Sequence, residues 1–128
     1  MSALDGKAAI NPVTPIADFT EASFDRVLAV NLRGPFFAIQ RAGVALRDNG
    51  RIISLSTLNT ALPGPGLAAH TATKAALEQV TAVAAREFGP RGITVNCADI
   101  ASVVAFLAGP DAQWITGQNL RATGGFLI

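Results

Sequence analysis

The chain has no tyrosine, and it has only one histidine, one cysteine, one methionine and one tryptophan. A single cysteine excludes an intramolecular disulfide and a cysteine-based metal site. A single histidine puts a histidine-rich metal centre equally out of reach, so no metal site is expected. The ten lysines and arginines are scattered, with a net charge of +1. They form no basic stripe, and the phenylalanines and the tryptophan sit in apolar contexts, which gives nucleic-acid binding little support. No apolar run approaches the ~20 residues of a membrane span. The N-terminus lacks the basic flank and long apolar core of a signal peptide. The expectation is a soluble, cytoplasmic protein with neither a membrane nor a nucleic-acid partner.

What is present is apolar. Half of the 128 residues are hydrophobic and only 15% are charged. The length suits one domain spanning residues 1–128. A chain of this size buries roughly two-thirds of its unfolded surface. Two explanations fit the excess of apolar residues: a heavily buried α/β core, or apolar surface covered by a second copy of the chain.

Met1 to Gly6 reads as a polar leader and Lys7 to Ile10 as a short strand. The prolines of Asn11-Pro-Val-Thr-Pro15 then break regular structure. Thr20 suits a helix N-cap, with Glu21 and Asp25 near the positive end of the dipole. Phe24, Val27, Leu28, Leu32, Phe36 and Ile39 keep helical spacing, and the pattern runs to Arg47 before Asn49-Gly50 ends it. Pro35 lies inside this helix and has no N–H to donate four residues back. A kink is expected there, either freeing the Asn31 carbonyl for another partner or simply serving packing beside Gly34.

Arg51 to Leu55 is a near-continuous apolar run of the kind found in buried parallel strands. Ser56 to Leu67 reads as loop, and Leu67 to Phe88 as one long alanine-rich helix closed by Gly89-Pro90. Ile93 to Cys97 is the next strand. Asp99 is placed to cap a helix from Ile100 to Leu107, and Asn119 to Thr123 is a last short strand. Helices alternating with apolar strands predict an α/β fold, a parallel sheet flanked by helices. Ligands of such sheets bind at the carboxyl ends of strands. That edge carries Ser56 and Thr57, and the first turn of the long helix carries His70 and Lys74, four residues apart and on one face.

These stretches, taken together, resemble the short-chain dehydrogenases/reductases. Asn31-Leu-Arg-Gly34 resembles that family's asparagine-bearing helix motif, and Gly50 to Thr57 resembles the strand that delivers its catalytic serine. Lys74-Ala-Ala-Leu77 resembles the stretch that starts at its catalytic lysine. Arg91-Gly-Ile-Thr-Val-Asn96, Ile115-Thr-Gly-Gln118 and Gly124-Gly125 match its C-terminal half. The resemblance runs from Asn11 to Gly125 and rests on the order and spacing of the motifs. It implies a partial Rossmann-like sheet, NAD or NADP as cofactor, and hydride transfer between alcohols and ketones. It assigns catalytic positions to Asn31, Thr57, His70 and Lys74. Lys74 matches the lysine that holds the cofactor ribose, and Asn31 the residue whose carbonyl holds a water of the proton relay.

Four departures accompany the resemblance. His70 stands in the tyrosine position, and imidazole titrates near 6.5 where a phenol titrates near 10. Imidazole is also shorter and does not reach the same substrate oxygen. Thr57 replaces the serine and keeps its hydroxyl. The glycine-rich phosphate loop is missing, because Leu4 to Ile10 joins Asn11-Pro-Val directly. After Asn96 the chain passes through Cys97 and Ala98 straight to Asp99, without the Pro-Gly turn and substrate lid. The expectation is an internally truncated Rossmann-type domain, its dehydrogenase activity lost or strongly reduced and its cofactor binding doubtful. Such a chain would act as a homo-oligomeric scaffold paired through the two long helices and the last strand. The rival expectations are an active oxidoreductase using an Asn31/Thr57/His70/Lys74 relay, and a protein-interaction module.

Overall fold

A computed structural model of the chain describes residues 9–126. Half of the strand expected at Lys7 to Ile10 falls outside these residues, and Ala9 and Ile10 take no strand pairing among the described residues. After a single turn at Ile16–Asp18, helix α1 runs over Glu21–Leu28. Thr20 caps it as expected, its hydroxyl oxygen accepting from the Ser23 N–H at 3.2 Å.

The irregularity expected at Pro35 is a change of hydrogen-bonding pattern. The helix widens into a π-helical turn at Ala29–Arg33 and continues as α2, Gly34–Ala45. The Gly34 N–H donates five residues back to the Ala29 carbonyl. Shifting to the wider bonding pattern just before Pro35 accommodates its missing donor. The helix stops two residues short of the expected Arg47. Arg91 donates to the carbonyls of Gly43 and Leu46 and to the Asp48 carboxylate, so a cation sits at the negative end of the helix dipole. Asn49 then takes a left-handed turn, with φ 63°.

Strand β1, Arg51–Leu55, follows. A short turn at Leu58–Thr60 interrupts the expected loop. Helix α3, Ala68–Phe88, matches the expected long helix. Its buried residues Ala69, Thr73, Leu77, Thr81, Ala84 and Ala85 recur every three or four positions, so they form one stripe. The small side chains in that stripe let the helix lie close to the sheet. Strand β2, Thr94–Ala98, is buried at every position. It pairs in parallel with β1, Arg51 opposite Thr94 and Leu55 opposite Ala98.

Helix α4, Ala101–Ala108, starts from Ile100, which provides no side-chain cap. Asp99 is not the cap that was expected. Its carboxylate instead accepts from the Ala122 N–H at 3.0 Å, because the returning terminal segment reaches it. Strand β3 is Asn119–Leu120, shorter than the expected run to Thr123. It pairs with Cys97 and Ala98, and β2 ends there, so the ladder has nothing further to bond.

The sheet order is β1-β2-β3, all parallel. Ile39 and Leu77 from α2 and α3 pack with Ile52, Ile93 and Val95 in one core cluster. Leu107 of α4 packs with Ala98 and Ala112 in a second cluster. The α/β class with flanking helices is therefore as expected. Two crossovers, through α3 and α4, place the carboxyl ends of β1 and β2 on one edge.

Candidate catalytic site

Asn31 sits in the π-helical turn and is fully buried. Its amide closes a two-way bond with the backbone of Ile10: Nδ2 donates to the Ile10 carbonyl at 2.8 Å, and Oδ1 accepts from the Ile10 N–H at 2.8 Å. The second amide hydrogen goes to Thr73 Oγ1 at 3.3 Å. The Thr73 hydroxyl in turn donates to the His70 carbonyl at 2.7 Å.

His70 lies in the first turn of α3, 7% exposed. Its Nδ1 stands 3.2 Å from the Ile10 carbonyl oxygen and 3.5 Å from Asn31 Nδ2. Both Asn31 amide hydrogens already have acceptors. The consistent assignment puts the proton on Nδ1, donating to Ile10, and leaves the lone pair on Nε2.

Lys74 lies one turn further along α3 and is 4% exposed. Its Nζ donates to the Leu55 carbonyl at the end of β1, at 2.7 Å. Burial lowers the pKa of its amine from the ordinary 10.5, and a negative charge on Cys97 would oppose that shift. His70 and Lys74 thus share a helix face as expected but bond to different segments, Ile10 and Leu55.

Thr57 takes a different place. Its hydroxyl caps the short turn that follows β1, accepting from the Asn59 N–H at 3.4 Å. Its carbonyl accepts from the Thr60 hydroxyl at 3.0 Å. The structure therefore brings Asn31 and His70 together and ties Lys74 to the strand end, while Thr57 is engaged with its own loop.

The sequence reading missed a second polar group beside these residues. Glu78 accepts from the Ser56 hydroxyl at 2.5 Å and from the Thr60 hydroxyl at 2.7 Å. Arg121 closes the group, donating to Thr60 Oγ1 at 3.2 Å and pairing with Glu78 at 3.5 Å. Glu78 follows Lys74 by four residues, so the spacing that paired His70 with Lys74 also places Glu78 on that side of the helix. Among the described residues no cluster of three or more metal-ligating side chains occurs.

Residues 4–98 match the family model described as enoyl-(acyl carrier protein) reductase. This chain belongs to the short-chain dehydrogenase/reductase family. It is 34% identical to 3-oxoacyl-[acyl-carrier-protein] reductase FabG of Staphylococcus aureus, over 84% of this chain and 58% of that protein. An uncharacterized oxidoreductase of Methylorubrum extorquens is 32% identical over 86% of this chain and 59% of its own length. The structure of the landomycin C-6 ketoreductase LanV with bound NADP and rabelomycin superposes with a TM-score of 0.89 at 36% identity, covering 93% of this chain and 58% of that one. A short-chain dehydrogenase/reductase of Serratia marcescens superposes with a TM-score of 0.89 at 36% identity, covering 94% and 63%.

The chain thus spans less than two-thirds of the length of these relatives. The alignment to FabG covers 144 positions, more than the 128 residues of this chain, so FabG carries internal segments that this member of the family lacks. That agrees with the shortening read from the sequence. LanV was solved with NADP bound. In this chain Lys74 Nζ, which the resemblance assigns to the cofactor ribose, donates to Leu55, and the side-chain amide of Asn31, whose backbone carbonyl the resemblance assigns to the relay, bonds to Ile10 and Thr73.

Proposed function

We propose that this chain is a truncated short-chain dehydrogenase/reductase whose hydride-transfer activity is lost or strongly reduced, and which acts as a homo-oligomeric scaffold. The supporting observation is that the Asn31 amide, His70 Nδ1 and Lys74 Nζ each bond within the chain, to Ile10 and Thr73, to Ile10 and to Leu55. A relay group has to offer a proton or a lone pair to substrate or cofactor. Here His70, in place of the family's tyrosine, donates to Ile10, and the Lys74 amine is buried against Leu55. Positioning errors of an ångström cost orders of magnitude in rate, and histidine in the tyrosine position moves the reacting atom by more than that. The test is calorimetric titration with NAD(H) and NADP(H), with a dehydrogenase assay beside it. The expected result is no saturable binding; a micromolar dissociation constant for either cofactor overturns the proposal.

The helix pair α2 and α3 supports the scaffold reading. Between them lies an open apolar groove of about 590 Å³, lined by Phe36, Val44, Val80, Val83 and Phe88 among others. Val44 is 80% exposed and Val83 55%. An apolar surface of this kind is covered in stable proteins, and a second copy presenting the same groove would cover it symmetrically. Light scattering tests this, with a dimer or tetramer expected.

The rival reading is an active oxidoreductase. One observation favours it: the tautomer assignment leaves the Nε2 lone pair of His70 available as a base, beside Asn31. In that reading Asn31, Thr57, His70 and Lys74 form the relay, and Lys74→Ala abolishes turnover. Unchanged turnover in that variant removes the assignment.

A further inference from the structure

Strand β1 has β2 on one side and no strand on the other among the described residues. Along its length and the start of α2 lies a groove of about 450 Å³. Its walls are largely aliphatic, with Val30, Pro35, Ala38, Ile53 and Leu77 among them, and among the described residues Lys74 is the only ionisable side chain that lines it. The residue that accepts from Lys74 Nζ, Leu55, lines the same groove.

We propose that this groove is a carbonyl-capture site, in which the primary amine of Lys74 forms a reversible imine with an apolar aldehyde. The chemistry follows from the placement. Imine formation needs an amine with an available lone pair, held where a carbonyl carbon can approach. Burial in an aliphatic wall disfavours the ammonium form of Lys74, as it does for lysines that form Schiff bases. The hydrogen bond to Leu55 uses one N–H and leaves the lone pair of the neutral amine unengaged by that bond. An alkyl aldehyde gains from burying its chain against the aliphatic walls.

The step balances without a further reactant. The amine nitrogen adds to the carbonyl carbon, and a proton moves from nitrogen to oxygen to give the carbinolamine. The hydroxyl then leaves as water, with a proton taken from solvent. The C=N bond forms as the last N–H proton returns to solvent. No nicotinamide takes part, so the result is independent of the cofactor titration.

The sequence makes the test clean, since the chain has only two lysines, Lys7 and Lys74. The protein is incubated with hexanal in phosphate buffer, the imine is reduced with cyanoborohydride, and the peptides are read by mass spectrometry. Lys74 is expected to gain the hexyl group at least ~10-fold faster than Lys7, as a lowered pKa would favour. In denaturing urea the preference is expected to vanish. Ala38→Phe, which enlarges a groove-wall side chain that is no partner in the Lys74–Leu55 bond, is expected to cut Lys74 labelling ~10-fold and leave Lys7 unchanged. Labelling of Lys7 in preference to Lys74, a preference that survives urea, or full Lys74 labelling in the folded Ala38→Phe variant each overturns the proposal.

Discussion

The side-chain amide of Asn31 and the backbone of Ile10 bond to each other twice, at 2.8 Å in each direction. In effect a side chain inside a helix supplies the pairing that a neighbouring strand would give. Asn31→Ala leaves a buried N–H and a buried carbonyl without this partner. Such groups cost about 1–3 kcal/mol each when unpaired, reduced where water reaches Ile10. The expected loss is about 2–3 kcal/mol of stability, read as a lower urea midpoint with an unchanged slope. A loss below about 0.5 kcal/mol would mean that this anchor does not hold in solution.

Gly43 of α2 faces Phe88 near the end of α3, and a Cβ on Gly43 would fall 2.1 Å from the ring. The glycine is there because the ring occupies that space. Gly43→Ala is expected to cost about 1–3 kcal/mol through overpacking, limited by how far the ring can swing. The Phe88→Ala background removes the ring. There the same change is expected to stabilise, by up to about 1 kcal/mol, because alanine is the better helix former. A double-mutant cycle by thermal or urea unfolding reads the reversal of sign; equal effects in both backgrounds would exclude the contact.

These two contacts mark where sequence reading reached and where it stopped. Residues with a strong local pattern were legible: the alanine-rich run closed by Gly89-Pro90 placed α3 within a residue of its ends, and the apolar run at β1 placed that strand. Pro35 announced a helix irregularity, and the residue type alone did not give its form, the π-helical turn at Ala29–Arg33. The positions of Asn31, Thr57, His70 and Lys74 were legible through family spacing, but their bonding was not. The partner of Asn31 is Ile10 and that of Lys74 is Leu55, both backbone groups, which carry no side-chain signature. Asp99 looked like a cap because its residue type suits one; a distant N–H at Ala122 claimed its carboxylate. Glu78 was overlooked because its partners Ser56, Thr60 and Arg121 come from two separate loops.

The groove between α2 and α3 gives a prediction about assembly. Val83 is 55% exposed there and packs in neither core cluster. Val83→Glu would place a carboxylate in any symmetric interface formed by this face, where desolvation costs several kcal/mol. The expected outcome is a shift to monomer in light scattering, with the helical circular dichroism signal retained. If Val83→Glu keeps the parent assembly state, the α2–α3 face is not the contact.

Lys74 and Cys97 give opposite pH dependences, which separate variants can resolve. Burial lowers the Lys74 pKa below 10.5. Between the folded-state value and 10.5 the unfolded chain holds the extra proton, so raising pH through that window stabilises the fold. The contribution is complete above 10.5 and is lost as pH falls through the folded value. Cys97 behaves in reverse. Burial raises its thiol above 9.0, with the Thr81 hydrogen bond opposing and Glu78 adding to the rise. The unfolded thiol ionises first, so stability is complete below 9.0 and falls as pH rises through the folded value. Lys74→Met removes the first slope, and its stability relative to the parent chain is expected to decline as pH rises toward 10.5. Cys97→Ala removes the second, and its relative stability is expected to improve above 9.0. Urea midpoints measured from pH 7 to 10.5 read both trends. Parallel curves for all three chains would mean that neither side chain keeps its buried setting in solution.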